Sequence, residues 1–372
     1  MYDIVIVRYG EIFLKGEFVR KKFEERLVSN IRGRIKDASL FRRRHRIYIK
    51  TGKAEEVSNR LKTVSGIVSV SPAIKTEVNL EDITKAAVDL AKKVISPGES
   101  FAVRAERSGE HDFSSKDIEN KVGGDILNTV QGRVDLKNPG KTIYVEVRDD
   151  LAFVFDKKIQ CLGGLPYKSQ GKLVALISTG IDSPVATWMM MRRGCEVIAL
   201  HFGDSDVKDI LERLEFYTGE EIKSYIIPYK EILGDISRHA GRYTCIVCKR
   251  FMYRISEEIA EIEDAQGVVT GESVGQVASQ TLENLKVIDC LGIPVYRPLS
   301  GMDKEDIIKI ARDIGVYGLV KKTSCGHVPR KPVTRSNEDA ITKIEEEIGI
   351  KGLIEKCRKG FYSQKRIRQA GI

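Results

Sequence analysis

Two groups of residues in this 372-residue chain have the types and spacing of a reactive site. The first is Ser178–Thr179–Gly180–Ile181–Asp182–Ser183–Pro184, which follows the apolar run Leu173–Val174–Ala175–Leu176–Ile177. An apolar strand that breaks at a small hydroxylated turn and restarts as a helix exposes backbone N–H groups and serine hydroxyls. They sit at a helix N-terminus, where the partial positive charge favours an anion. Ser183 suits the N-cap of that helix and Pro184 its first position. Asp182 conflicts with an anion site, because a bare carboxylate repels phosphate. A bridging Mg²⁺, or a role in organising the loop, removes the conflict. The segment is not a Walker loop: from Gly164 to Gly171–Lys172 six residues separate the glycines instead of four, and Leu173 follows. It is not the G-x-G-x-x-G dinucleotide fingerprint either. An ordinary strand-to-helix turn is the bland alternative.

The second group is Cys245–Ile246–Val247–Cys248, with Cys325–Gly326–His327 lying 77 residues further on. One C-x-x-C pair falls short of the four ligands of a structural zinc site. Two thiolates plus one suit an iron–sulfur cluster with an open iron, or a persulfide-carrying thiol with resolving partners. Buried structural cysteines are the remaining reading, and Cys161, Cys195, Cys290 and Cys357 are read that way. Lys249, Arg250 and Lys304 are cations able to neutralise phosphates, although each also suits a plain surface charge. His201–Phe202 closes the next strand at the same edge and could touch a nucleotide base or ribose.

These groups need a scaffold. Apolar strands over 173–177, 196–202, 222–228, 267–271 and 294–298 alternate with helix-length segments, the pattern of βαβ units in a doubly wound, mostly parallel sheet. Ligands bind at the carboxyl ends of such strands, where residues 178–183 fall. Upstream, a strand over 4–7, a helix over 18–35, a strand over 46–50 and a helix over 54–64 make a small α/β unit. A second unit has a helix over 80–94, a strand over 100–104, a polar loop over 106–115, a helix over 116–130 and strands over 142–148 and 151–157. Residues 160–172 are rich in turn formers and read as a linker.

Composition bounds the class. Charged residues make up 31% and hydrophobic residues 42%, and no apolar run reaches the roughly 18–20 residues of a membrane span. The N-terminus lacks a signal-peptide pattern, and seven cysteines over this length do not read as a secreted disulfide framework. A cytoplasmic protein is expected. The net charge of +9 is concentrated: residues 1–50 hold 14 Lys/Arg against 6 Asp/Glu, a net of +8. A solvated basic face explains one cluster, but this asymmetry points to a polyanion partner, because Lys and Arg contacts to phosphates release counterions.

The S-x-G-x-D-S loop resembles the pyrophosphate-binding loop of ATP pyrophosphatases, and the chain as a whole resembles the tRNA 4-thiouridine synthetases. Arg8–Tyr9–Gly10–Glu11 through Leu14–Lys15–Gly16 is similar to that family's opening R-Y-G-E-x-x-L-K-G. Phe101–Arg104, Arg107, Phe113, Gly123 and the segment 134–139 (V-D-L-K-N-P) resemble a THUMP RNA-binding domain. The segments 163–166, 270–280 and 297–304 resemble the family's linker and synthetase motifs. The resemblance implies a ferredoxin-like α/β domain over 1–58, a THUMP domain over 59–159, a linker over 160–171 and a PP-loop domain over 172–372. It implies ATP held by Leu176, Ile177, His201, Phe202, Lys249, Gly271 and Gln280, with Ser178, Thr179, Gly180 and Ser183 on the pyrophosphate and Mg²⁺ alongside. Asp182 and Lys304 match positions used in activation, and Cys325 matches the catalytic cysteine, although Ser324 replaces the tyrosine that commonly precedes it. Cys245 and Cys248 match the pair that joins the catalytic cysteine around an iron–sulfur cluster in archaeal-type members.

The implied activity is adenylation of tRNA uridine 8 and replacement of its O4 by sulfur, with a sulfur-carrier role in thiamine thiazole synthesis. The implied partners are tRNA, a sulfur donor (a persulfide carrier or sulfide) and a second copy in a homodimer, with no membrane. Two departures stand out. Thr179 replaces the first glycine of S-G-G-x-D-S, so either its φ is negative or the loop is rearranged. No rhodanese segment is present to carry sulfur. A thiolase for another tRNA position and a non-catalytic RNA-binding protein are the rival readings.

Overall fold

The computed structural model describes residues 2–35, 38–43, 45–204, 206–321 and 325–358. The chain divides into two compact units, Met1–Pro166 and Tyr167–Ile372.

The first unit contains β1 (Ile4–Tyr9), α1 (Glu17–Arg34), β2 (Ser39–Arg43), β3 (Arg46–Lys50), α2 (Ala54–Leu61), β4 (Ile67–Thr76) and α3 (Leu80–Val94). It continues through β5 (Ser100–Ser108), α4 (Ser115–Thr129), β6 (Arg133–Val134), β7 (Lys141–Arg148), β8 (Leu151–Phe155) and β9 (Ile159–Gln160). The strands form one sheet in the order β2-β3-β1-β4-β8-β7-β5-β6, with β9 paired to β4. Alternation decides the faces. Val5, Val7, Ile47 and Ile49 join Leu27, Ile31, Ala87 and Ile118 of the helices in one core, whereas Ile4, Ile6, Tyr48, Phe153 and Phe155 line the other face.

Strand β4 was not expected, and it is central. Its residues 67–73 pair with β1 and its residues 74–76 with β8, so a single strand belongs to both halves of the sheet. Pro72 disguises it, because proline is rare in central strands. The geometry explains the exception. The Asp3 N–H donates to the Ala73 carbonyl at 3.1 Å, so Pro72, one residue earlier, faces away from β1. On that side it falls in the gap between β9, which pairs with residues 69–70, and β8. The expected loop over 106–115 is shorter than read, since β5 runs on to Ser108. The capping box of Ser114 and Asp117 then starts α4.

The second unit is a five-stranded parallel sheet in the order β12-β11-β10-β13-β14. Its strands are β10 (Lys172–Leu176), β11 (Glu196–Phe202), β12 (Ser224–Ile227), β13 (Val268–Val269) and β14 (Val295–Tyr296). Helices connect and flank them, among them α5 (Asp182–Arg192), α6 (Lys208–Thr218), α7 (Lys230–Ala240), α8 (Thr244–Glu263), α9 (Leu282–Ile288), α10 (Lys304–Asp313) and α11 (Glu338–Ile348). This is the doubly wound arrangement expected. The strand order runs outward from β10 in one direction and from β13 in the other, which puts the topological switch point between those two strands. No helix among the described residues is long and apolar enough to cross a membrane.

Candidate active site

The loops that leave β10 and β13 meet at the switch point. Gly271, just past β13, abuts the start of α5: a Cβ there would stand 2.6 Å from both the Asp182 carbonyl carbon and the Ser183 nitrogen. Only glycine fits that approach. The loop over 178–183 is closed from within. The Ser178 N–H donates to Ser183 Oγ at 2.8 Å, the two serine hydroxyls are 3.0 Å apart, and the Gly180 N–H donates to Ser178 Oγ at 3.3 Å. Ser183 is therefore not the N-cap expected of it. Ile181 takes that position without a side-chain bond, and the Ser183 hydroxyl turns back to Ser178.

Thr179 resolves the question it raised. Among the described residues the non-glycine positions of positive φ are His45, Asp149, Lys168 and Asp264, so the loop asks no left-handed conformation of Thr179. Its side chain is packed away at 5% exposure, and its carbonyl accepts from the Lys321 N–H at 3.1 Å.

Asp182 is paired. Lys304 at the first position of α10 donates to both of its carboxylate oxygens at 2.7 and 2.9 Å, and Gln276 donates to Oδ2 at 3.1 Å. The negative charge that conflicted with an anion site is thus balanced by a lysine. Just past β10, the Ile177 N–H donates to the Leu200 carbonyl at 2.9 Å. Its own carbonyl accepts from His201 Nδ1 at 2.8 Å, which requires the proton on that nitrogen. Leu176 and Phe202 are half-buried at the same sheet edge. Gln280 braces the loop from β13: the Gly275 N–H donates to its carbonyl at 2.8 Å and the Ser273 N–H to its Oε1 at 3.4 Å.

Lys249 is committed to a residue that the sequence did not single out. Its Nζ lies 2.6 Å from Glu272 Oε1, and Arg297 donates to Glu272 Oε2 at 2.8 Å, with Tyr253 also donating to that oxygen. Burial alone would raise the Glu272 carboxyl, but the charge and hydrogen bond of Lys249, with Tyr253 and Arg297, hold it below its ordinary range. Glu272 gave no signal because its partners come from positions 249, 253 and 297. Arg250, offered as a phosphate partner, faces the core instead, bonded to Glu345, Glu338 and the Val287 carbonyl.

Two of the thiols share a helix with Lys249. Positions 245, 248 and 249 share one face of α8, so the C-x-x-C-K sequence presents two sulfurs and an ammonium together. Burial, and then the nearby Cys325, push Cys245 above the usual thiol range. Burial likewise pushes Cys248 to about 12, against the hydrogen bond that Tyr229 donates to it. Cys325 is exposed, and its neighbour Ser324 lies outside the described residues. Among the described residues no three His, Cys, Asp or Glu side chains converge as a metal site, so these thiols do not form a closed ligand set.

A hydroxyl-rich loop at the switch point of a doubly wound sheet, with a charged bridge from Asp182 to Lys304 and three cysteines on the same domain, has the architecture of the ATP-pyrophosphatase class. Comparisons with known proteins make this specific. The family model "Thiamine biosynthesis protein (ThiI)" matches residues 168–350, the ThiI ferredoxin-like domain residues 4–71 and the THUMP domain residues 77–155. A protein of Methanobrevibacter smithii named "Probable tRNA sulfurtransferase" is 42% identical, over 90% of this chain and 92% of its own. One of the same name from Methanocaldococcus jannaschii is 39% identical, over 89% of this chain and 93% of its own. The crystal structure of a 4-thiouridine synthetase–RNA complex with bound ATP superposes with a TM-score of 0.88 at 33% identity, over 96% of this chain and 97% of that one. The chain belongs to the tRNA sulfurtransferase family.

Proposed function

We propose that the protein uses ATP to activate O4 of uridine 8 in tRNA and exchanges that oxygen for sulfur, yielding 4-thiouridine, AMP and pyrophosphate. The observation that carries this reading is the junction of the loop over 178–183, Gly271 and the Asp182–Lys304 pair, on the same domain as the three thiols. Support also comes from the solved 4-thiouridine synthetase, whose complex holds RNA and ATP. The domain over 172–372 would carry the chemistry, and the domains over 1–58 and 59–159 would grip the RNA by shape and phosphates.

In the first step uridine O4 attacks the α-phosphorus, the α–β bridging bond breaks and pyrophosphate leaves. The N–H groups and hydroxyls of residues 178–183 would receive the pyrophosphate, and Lys304, paired with Asp182, keeps that carboxylate from repelling it. His201 and Phe202 flank the base and ribose, while Glu272 keeps Lys249 extended toward the nucleotide. Mg²⁺ would come with the nucleotide, held by phosphates with one carboxylate, and Asp182 is the carboxylate in place. In the second step sulfur displaces AMP, which departs with the former O4: hydrosulfide attacks C4 directly, or the outer sulfur of a persulfide passed to Cys325 by a persulfide donor attacks it. If the carrier is a persulfide, one thiol of Cys245 and Cys248 then cleaves its S–S bond and is oxidised to a disulfide with Cys325.

The resemblance also places an iron–sulfur cluster on Cys245, Cys248 and Cys325. Because the described thiols do not close around a metal ion, no step here runs through a cluster. Anaerobic iron and sulfide analysis of the purified protein tests it. Sulfur carriage for thiamine thiazole synthesis would use the same Cys325, and thiamine auxotrophy of a deletion strain reads that role separately.

The deciding experiment incubates purified, reduced protein with ATP, unmodified tRNA and either sulfide or a persulfide donor, and measures pyrophosphate and nucleosides by mass spectrometry. The expected result is ATP-dependent 4-thiouridine at position 8, lowered by about 10²–10³-fold in Asp182→Ala. Full thiolation by Asp182→Ala, or sulfur at another position, would overturn the reading.

A further inference from the structure

Tyr229 stands at the start of α7, two residues beyond β12, and none of the steps proposed above uses it. Its hydroxyl donates to Cys248 Sγ at 3.0 Å. Its ring is clamped on two sides. It stacks on Phe251 with centroids 5.7 Å apart and planes at 26°, and it meets Phe202 edge-on at 5.3 Å and 69°. At 4% exposure the side chain has no room for another rotamer, so the hydroxyl is delivered to one point in space.

The two ends of this contact belong to different parts of the site. Phe202 closes β11 at the sheet edge assigned to the nucleotide, and Cys248 is one turn along α8 from Cys245. We propose that Tyr229 is a positioning residue that couples the nucleotide edge of the sheet to the thiol pair. The proposal rests on the functional reading above for what binds at Phe202 and what happens at the thiols. Its physical basis is rigidity. A flat ring held by Phe202 and Phe251 moves only when they move, so a base seated against Phe202 shifts the phenol oxygen and, through the hydrogen bond, the Cys248 sulfur. Phenylalanine at position 229 would keep the packing and remove only the donor, which separates coupling from structure.

The test uses the full-length, reduced protein and alkylation of Cys248 relative to Cys245 by iodoacetamide, resolved by fragment-ion mass spectrometry of the peptide over 243–249, at one pH, with and without ATP. In the wild type, ATP is expected to change that ratio by at least about threefold, the consequence of altering one modest hydrogen bond, and in Tyr229→Phe to leave it unchanged. In the thiolation assay Tyr229→Phe is expected to keep the KM for ATP and to lose about tenfold in kcat. An identical ATP effect in both proteins, no ATP effect in the wild type, or an undiminished kcat in Tyr229→Phe overturns the coupling. Failure of the underlying reading looks different: wild-type protein that releases no pyrophosphate with ATP and tRNA removes both.

Discussion

A methyl group on Gly271 would lie 2.6 Å from the backbone of Asp182 and of Ser183, and backbone cannot swing aside as a long side chain can. Gly271→Ala must therefore push the loop from β13 away from the start of α5. A loss of about 1–3 kcal/mol in stability is expected, as for overpacking elsewhere, and a fall of at least about 10²-fold in ATP-dependent turnover as the anion site opens. Gly124 is the control. It is exposed in the middle of α4 with nothing within 4 Å of an added Cβ, so Gly124→Ala should stabilise by about 0.4–1 kcal/mol in a urea titration. Glu146 tests burial of charge in the same way. It is almost fully buried on β7, with Arg8 at 2.7 Å, Arg46 at 3.4 Å and Arg148 also bonded to it. Burial would raise its carboxyl, but these guanidiniums hold it at about 2. A depressed carboxylate stabilises the fold above its unfolded pKa of about 4.3 and stops doing so as the pH falls through the folded value. Thermal unfolding of the wild type should lose on the order of 3 kcal/mol between about pH 4.5 and 2 through this group. Glu146→Gln should be destabilised already at pH 7 and show a flatter slope over that window, because three arginines are then left without their carboxylate.

At the scale of elements, β4 decides how the first unit unfolds. Because residues 67–73 pair with β1 and residues 74–76 with β8, one strand carries both halves of the sheet. Ile67 is fully buried at its start, opposite Tyr9, and Ile67→Ala should cost about 2–5 kcal/mol. In native-state hydrogen exchange the amides of β1 and β8 should then lose protection together, although Ile67 lies only in the half that pairs with β1. Retained protection in β8 would mean that the halves open separately. The same strand marks the limit of what the sequence discloses. Its sequence, I-V-S-V-S-P-A-I-K-T, has no clean two-residue alternation because residues 69–73 are all buried, Pro72 argues against a central position, and the gap that admits it exists only once β8 and β9 are in place. Residues whose partners are close in sequence are readable: the loop after β10 follows from an apolar run meeting Ser-x-Gly, and the thiol face of α8 from C-x-x-C-K. Where partners come from afar the reading failed. Arg250 goes to Glu345 and Glu338, and Glu272 becomes the anchor of Lys249. Thr179 was legible as an anomaly, and only its backbone shows why it is harmless.

For the whole molecule the issue is where the positive charge is spent. Residues 1–50 carry a net +8, but Arg8 and Arg46 neutralise Glu146 within the sheet and are not available to a polyanion. Arg42 and Arg43 are available. They are exposed on β2, an edge strand of the sheet, and among the described residues Arg42 has a long ion pair to Glu24 at 3.8 Å. Charge on an edge strand also discourages strand-to-strand aggregation, and that role needs either sign of charge equally. An RNA-gripping role needs the positive sign, so reversal separates the two. The double variant Arg42→Glu, Arg43→Glu keeps a charged edge and should stay monodisperse and fully folded. Its affinity for tRNA should fall, and the slope of log affinity against log salt should become shallower by about 0.7–0.9 for each phosphate contact removed, hence by about 1.4–1.8 if both arginines reach the backbone. Because these residues lie in the first unit and the loop over 178–183 in the second, the thiolation assay should show a raised KM for tRNA with kcat and the KM for ATP unchanged. An unchanged salt slope would return Arg42 and Arg43 to edge protection alone and leave the RNA contacts to the THUMP domain.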